Sequence, residues 1–167
     1  NGVSVDVNNI VTSHQDHHDV VRQVTSEQKG IGLFREHDMP SVDALVTNEK
    51  NLCLVTFHAD CTPIYFVDPV KKAIGLAHSG WKGTVRKIVQ KTVKKMTVCF
   101  DTDPKDLVCV IGPTIGQCCY EVDQKVADKF ADLSSDMLVY KGSGKYMLDL
   151  ISVNENLLHQ AGVDREK

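Results

Sequence analysis

The chain has 167 residues, 42% hydrophobic and 25% charged, with a net charge of −3 at pH 7. That is one domain's length with material for a proper core, in the composition range of soluble globular proteins. The charge balance gives no electrostatic case for nucleic acid or an anionic membrane, and no apolar run approaches the roughly 18 residues of a membrane span. The start, NGVSVDVNNIV, shows neither a basic n-region nor a long apolar h-region, so a cytoplasmic location is expected. Asn1 is an abrupt beginning, which suggests a fragment.

In chain order, residues 10–13 read as a strand running into His14-Gln15-Asp16-His17-His18-Asp19, with three histidines within five residues. Such a segment is either a solvated polar loop or a source of nitrogen ligands. Residues 20–24 form a second strand, and residues 28–35 a glycine-punctuated loop. Buried strands follow at 43–48 and 52–57. Residues 64–67 and 73–77 are two apolar runs split by Asp68-Pro69-Val70-Lys71-Lys72, which predicts a hairpin. Val85, Ile88, Val89, Thr92, Val93 and Met96 then recur at helical spacing, opposite Lys87, Gln90, Lys91, Lys94 and Lys95.

A strand at 107–111 ends in Gly112-Pro113-Thr114-Ile115-Gly116-Gln117-Cys118-Cys119-Tyr120, a tight loop whose backbone can approach a ligand. Val126, Phe130 and Leu133 mark a second helix. Residues 137–140 and 146–148 form a hairpin about Gly142-Ser143-Gly144, and Asp149 caps a last helix that Gly162 stops. Strands outnumber helices and the helices cluster late. The expected fold class is therefore α/β, a mixed β-sheet packed with helices in a single domain over residues 1–167.

Six cysteines without a C-x-x-C pair or a secretory context argue against a disulfide framework. Cys53, Cys99 and Cys109 sit among apolar residues, as buried thiols do. Cys61 differs, flanked by Asp60 and Thr62-Pro63 at the mouth of a strand. A hairpin brings its outer ends together, so Cys61 and His78 should meet. Three chemistries stay open on these residues. Cys61 is a nucleophile with His78 as base and Asp60 or Asp68 as orienter, or a thiolate that holds zinc with two histidines and leaves one position open, or a buried Cys beside a hydrogen-bonded His.

The motifs HADCTPIYFVDP, GLAHSGWKGTVRKIV and IGPTIGQCCYEV, with SHQDHHDVV and DALVTN, closely resemble those of the laccase-domain, or multicopper polyphenol oxidoreductase, family. Its members are now regarded as zinc-dependent purine nucleoside phosphorylases with additional adenosine deaminase activity. The match runs from about Val11 to Val163, in one order. The resemblance implies a metal set of His17, Cys61 and His78, with His14 and His18 as bystanders. It implies a phosphorylase acting on adenosine, inosine, guanosine or methylthioadenosine, with small-molecule partners only. Zinc fits the ligand set better than copper, because a laccase needs several copper centres rich in His.

Asp60 is then the candidate proton donor or acceptor for the base, and Arg35, Trp81, Gly112 and Gly116 are candidate substrate contacts. The family's Thr-Arg-x-Gly-Gly-like beginning and its Cys-Thr and Ser-Tyr-Arg-Arg-like ending have no counterpart here. Part of the pocket and one sheet edge are therefore expected to be incomplete. The alternatives are a metal-independent cysteine hydrolase using Cys61 and His78, a copper-dependent polyphenol oxidase, and a non-catalytic zinc domain.

Overall fold

The computed structural model describes residues 4–166, apart from the Ser134 side chain, so Asn1 lies outside it. Strands β1 (Ile10–Thr12), β2 (Val20–Gln23), β3 (Val42–Thr47) and β4 (Cys53–Val55) lead to the hairpin of β5 (Thr62–Asp68) and β6 (Ala73–Ser79). Helices α1 (Trp81–Val85) and α2 (Ile88–Phe100) follow, then β7 (Val108–Ile111) and β8 (Glu121–Asp123). Two short helices, α3 (Gln124–Ala127) and α4 (Ala131–Ser134), precede the hairpin β9 (Leu138–Gly142) and β10 (Lys145–Leu148), and α5 (Leu150–Gln160) closes the order.

Five strands form the central sheet in the order β2-β3-β6-β5-β7. Only β2–β3 is parallel, so the sheet is mixed, as expected. Smaller sheets pair β1 with β4 in parallel and β8-β10-β9 antiparallel. The Asp68 carboxylate shapes the β5–β6 turn by accepting from the N–H groups of Val70 and Lys71. That fixes the hairpin register, with Ile64 opposite Ala77 and Pro63 opposite His78.

Alternation along the strands gives the sheet two unlike faces. Ala44, Val46, Ile64, Phe66 and Ala77 pack with Ile88, Val89, Val93 and Met96 of α2 and with Leu150, Val153 and Leu157 of α5 in the main core. Leu45, on the other face, joins Val11, Val24, Ile31, Val42 and Leu52 in a smaller core. Farther along that second face Tyr65, Val67, Ile74, Val108 and Val110 stand exposed, and β7 is an open edge.

Three expectations change. The long helix is interrupted where Lys87 takes a left-handed conformation at φ 62°, so Trp81–Val85 forms a helix of its own. The helix expected about Val126 and Leu133 is two four-residue segments joined by a tighter turn. Cys53, Cys99 and Cys109 are half-buried rather than buried, although burial still pushes the Cys109 thiol up to about 12.

Candidate metal centre

The hairpin delivers Cys61 and His78 to one end of the sheet, and the loop between β1 and β2 lowers His17 onto them. One ligand atom from each of the three lies within 4.8 Å of the others. Among the described residues this is the group that fits a metal ion. His78 is buried, Cys61 half-buried and His17 exposed, so the cluster opens to solvent on the His17 side. The His17 and His78 rings meet edge to face at 4.9 Å.

The organiser of the site is Asp43, which the sequence reading did not single out. It lies wholly buried in β3, and His78 Nδ1 bonds its carboxylate at 2.8 Å. Three successive backbone N–H groups, those of Asp16, His17 and His18, converge on the same carboxylate at 3.5, 3.1 and 2.8 Å. His17 needs that anchor, because its backbone is left-handed at φ 66°. Arg86 adds a hydrogen bond to the His17 carbonyl. One carboxylate thus sets the ring orientation of one candidate ligand and the loop conformation of another. Asp60 and Asp68 do not hold His78, so the expected orienter is corrected to Asp43.

Charge follows from this geometry. Burial opposes ionisation of Asp43, but the hydrogen bonds from His78 and from the backbone of His18 and His17 outweigh it and hold the carboxyl below its usual range. Burial likewise opposes the His78 imidazolium, yet the bonds to Asp43 and Cys61 and their charges push its pKa up to about 9. With Asp43 on Nδ1, Nε2 is the nitrogen left for an ion, the arrangement in which an outer carboxylate orients a metal-binding His.

Gly80 lets the cluster close. A Cβ there would lie 2.8 Å from Cys61 Sγ and 3.1 Å from His17 Cδ2. Behind it, the buried Ser79 hydroxyl bonds Asn154 of α5, and the Thr84 hydroxyl bonds the Gly80 carbonyl. The turn between β6 and α1 is thereby tied to both helices.

The histidines nearest the cluster have hydrogen-bond or stacking partners of their own. His58 Nδ1 donates to the Cys61 carbonyl and its Nε2 meets Thr56 Oγ1, which occupies both nitrogens, while burial draws its pKa down. His18 Nδ1 bonds Asp16, and His14 stacks on His37.

Asp60 is exposed beside Cys61, and its carbonyl accepts from Thr114 Oγ1 and from Ile115 N–H. That pins the 112–120 loop to the ligand-bearing segment. Tyr120 closes the loop. Burial, with the nearby Cys61 and Asp60 charges, pushes its phenol up to about 12.

Arg35 spends its guanidinium on the carbonyls of Glu27 and Lys29. Trp81 packs against the main core. Gly112 sits against Pro63, where a Cβ would meet Cγ at 2.8 Å, and it helps line a cavity of about 550 Å³ between β7 and α5. None of the three candidate ligands lines that cavity. The Gly116 carbonyl caps the Cys119 and Tyr120 N–H groups.

The sequence matches the model of the multi-copper polyphenol oxidoreductase laccase family over residues 1–167. The chain belongs to that family. It is 38% identical to a Bacillus subtilis protein named purine nucleoside phosphorylase YlmD, covering 98% of this chain and 60% of that one. It is 33% identical to the Homo sapiens purine nucleoside phosphorylase LACC1, over 83% of this chain and 32% of that one. The crystal structure of the Bacillus licheniformis hypothetical protein YfiH superposes with a TM-score of 0.91 at 38% identity, over 97% of this chain and 62% of that one. The chain therefore spans less than two thirds of these family members.

Proposed function

We propose that the chain acts as a zinc-dependent purine nucleoside phosphorylase, cleaving adenosine, inosine, guanosine or methylthioadenosine with phosphate, with adenosine deaminase as a second activity. The observation that carries this reading is the convergence of His17, Cys61 and His78 within 4.8 Å in a chain whose relatives are named purine nucleoside phosphorylases. A thiolate and two imidazoles suit zinc, and three protein ligands leave a position for substrate, as catalytic zinc sites do. Bound there, zinc would supply a Lewis acid for phosphate or for water.

The chain's own residues would do the rest. Asp43 fixes His78 with Nε2 toward the ion and holds the His17 loop in reach. Asp60, exposed beside Cys61, would exchange a proton with the departing purine. The Tyr120 phenol keeps its proton at neutral pH and can donate a hydrogen bond. Gly112 and Gly116 bracket the loop pinned to Asp60, while Arg35 and Trp81 would have to leave their present partners to reach phosphate or purine. The partners in this reading are a nucleoside and phosphate, and the six free cysteines support a reducing, cytoplasmic setting. Among the described residues no helix is long and apolar enough to cross a membrane.

A second reading draws on one observation. Cys61 Sγ lies within 4.8 Å of a His78 ring nitrogen and His78 Nδ1 bonds Asp43, the order of a thiol–imidazole–carboxylate triad, which suits a metal-independent cysteine hydrolase. Zinc that protects Cys61 from alkylation supports the metal reading. Alkylation unaffected by saturating zinc supports the triad.

The deciding assay is chromatography of adenosine incubated with zinc-loaded protein, with and without phosphate. Adenine and ribose 1-phosphate formed only with phosphate support phosphorolysis, and inosine adds the deaminase. Zinc-loaded protein silent on all four nucleosides, both as this chain and extended to its relatives' full length, overturns the proposal.

A further inference from the structure

Cys118 and Cys119 are adjacent in sequence, exposed, and 3.3 Å apart at Sγ. They ride on a tight turn, where the N–H groups of Cys119 and Tyr120 both reach the Gly116 carbonyl and the Glu121 N–H reaches the Cys119 carbonyl. The start of the same loop is held on the Asp60 carbonyl by Thr114 and Ile115. The turn therefore presents both sulfurs to solvent, already in contact. Cys53, Cys99 and Cys109 are half-buried by comparison, and Cys61 is the candidate metal ligand.

We propose that Cys118 and Cys119 form a reversible dithiol modification site, which a peroxide oxidises to a disulfide between the two adjacent residues. This inference does not depend on the metal site or on the proposed activity. Either sulfur of the touching pair can attack first; with Cys118 first, the balance runs through a sulfenic acid. The Cys118 thiolate attacks one peroxide oxygen, the O–O bond breaks to give a sulfenic acid, and the leaving hydroxide takes up the proton that the thiol released, forming the first water. The Cys119 sulfur then attacks the Cys118 sulfur, the S–O bond breaks, and the Cys119 proton departs with the hydroxyl as a second water. Two thiols lose two electrons and the peroxide gains them.

Neighbouring Cα atoms across a trans peptide are about 3.8 Å apart, below the span of about 4.4–6.8 Å at which disulfides are usually found. The ring so formed is strained and readily reduced, which suits a labile modification and not a structural staple.

The test exposes the chain, with and without added zinc, to hydrogen peroxide, alkylates the remaining thiols, and maps peptides by mass before and after treatment with dithiothreitol. The expected result is a 118–119 peptide lighter by two hydrogens and unalkylated, formed about tenfold faster than any change at Cys53, Cys99 or Cys109, since oxidation follows exposure. Dithiothreitol should return both thiols. Cys118→Ser, an exposed substitution, should abolish the two-hydrogen loss and leave Cys119 as a sulfenic acid or a free thiol. The proposal is overturned if both thiols stay alkylatable while the half-buried ones oxidise. It is also overturned if the pair passes to sulfinic acids that dithiothreitol does not reverse, or if the disulfide links two copies of the chain on a non-reducing gel.

Discussion

The two faces of the central sheet come from the same five strands, yet one packs the main core and the other carries the candidate metal site beside a smaller core. In β3, Ala44 and Val46 point into the helix-covered core while Asp43, between them and Val42, is spent on His78 and the His17 loop. In β6, Ala77 belongs to the core and His78, the next residue, belongs to the site. Each face also fails differently. Loss of an apolar side chain from the first opens a cavity, whereas loss of a carboxylate from the second leaves several donors without an acceptor.

The largest effects should come from breaking either face at its centre. Phe66→Ala removes a fully buried ring from the helix-covered face, and urea unfolding should show about 3–5 kcal/mol lost. Zinc affinity of the fraction still folded should be unchanged. Asp43→Ala should cost a similar amount, about 3–5 kcal/mol, because it strands a buried partner. It should also weaken zinc binding by roughly 10–100-fold in a chelator competition, as loss of an outer carboxylate does. That second effect separates the faces. A Phe66 variant that lost zinc as steeply as the Asp43 variant would erase the distinction.

Acidity sharpens the comparison next, since titrating groups of the site lie on the second face. The folded pKa of His78, about 9, lies above its ordinary 6.5. Its contribution to the stability of metal-free protein is complete below pH 6.5 and lost as pH rises through about 9. Asp43 is shifted the other way, so its contribution is present above pH 3.8 and lost as pH falls through its lowered folded value. Thermal unfolding of chelator-treated protein should therefore be most stable between these limits and decline on the alkaline side. A metal-free melting temperature flat from pH 6 to 9 would deny the Asp43–His78 pair.

Smaller still is the expected stability change in Gly80→Ala, where φ is −74° and the backbone suits any residue. The added methyl group meets Cys61 Sγ, so zinc affinity should fall while unfolding shifts by no more than about 1 kcal/mol. At the bottom of the scale, Val110→Thr on the exposed part of the second face should stay within about 0.5 kcal/mol in both measurements.

The hairpin and the meeting of Cys61 with His78 were legible because short apolar runs and a turn signal specify a β-hairpin locally, and pairing then carries one to the other. The choice of His17 over His14 and His18 rested on resemblance, since composition does not distinguish three neighbouring histidines. Asp43 escaped notice for a physical reason. One carboxylate in an apolar strand declares itself only when its partners arrive from distant segments, here the His17 loop and β6. An acidic residue opening a run as apolar as Ala44-Leu45-Val46 was the signal available. The break at Lys87 had no such marker, because neither glycine nor proline stands there and apolar spacing continues on both sides. Strand β8 is only three residues long and pairs with a hairpin partner more than twenty positions downstream, so local pattern did not reveal it.

The most direct test of the account is metal analysis after equilibrium dialysis against zinc, comparing the unaltered chain with Cys61→Ala. One zinc per chain, retained by the unaltered protein and lost by the variant with its fold intact by circular dichroism, is the predicted result. A variant that keeps its zinc, or an unaltered chain that takes up none, would contradict the assignment of His17, Cys61 and His78 as the metal site.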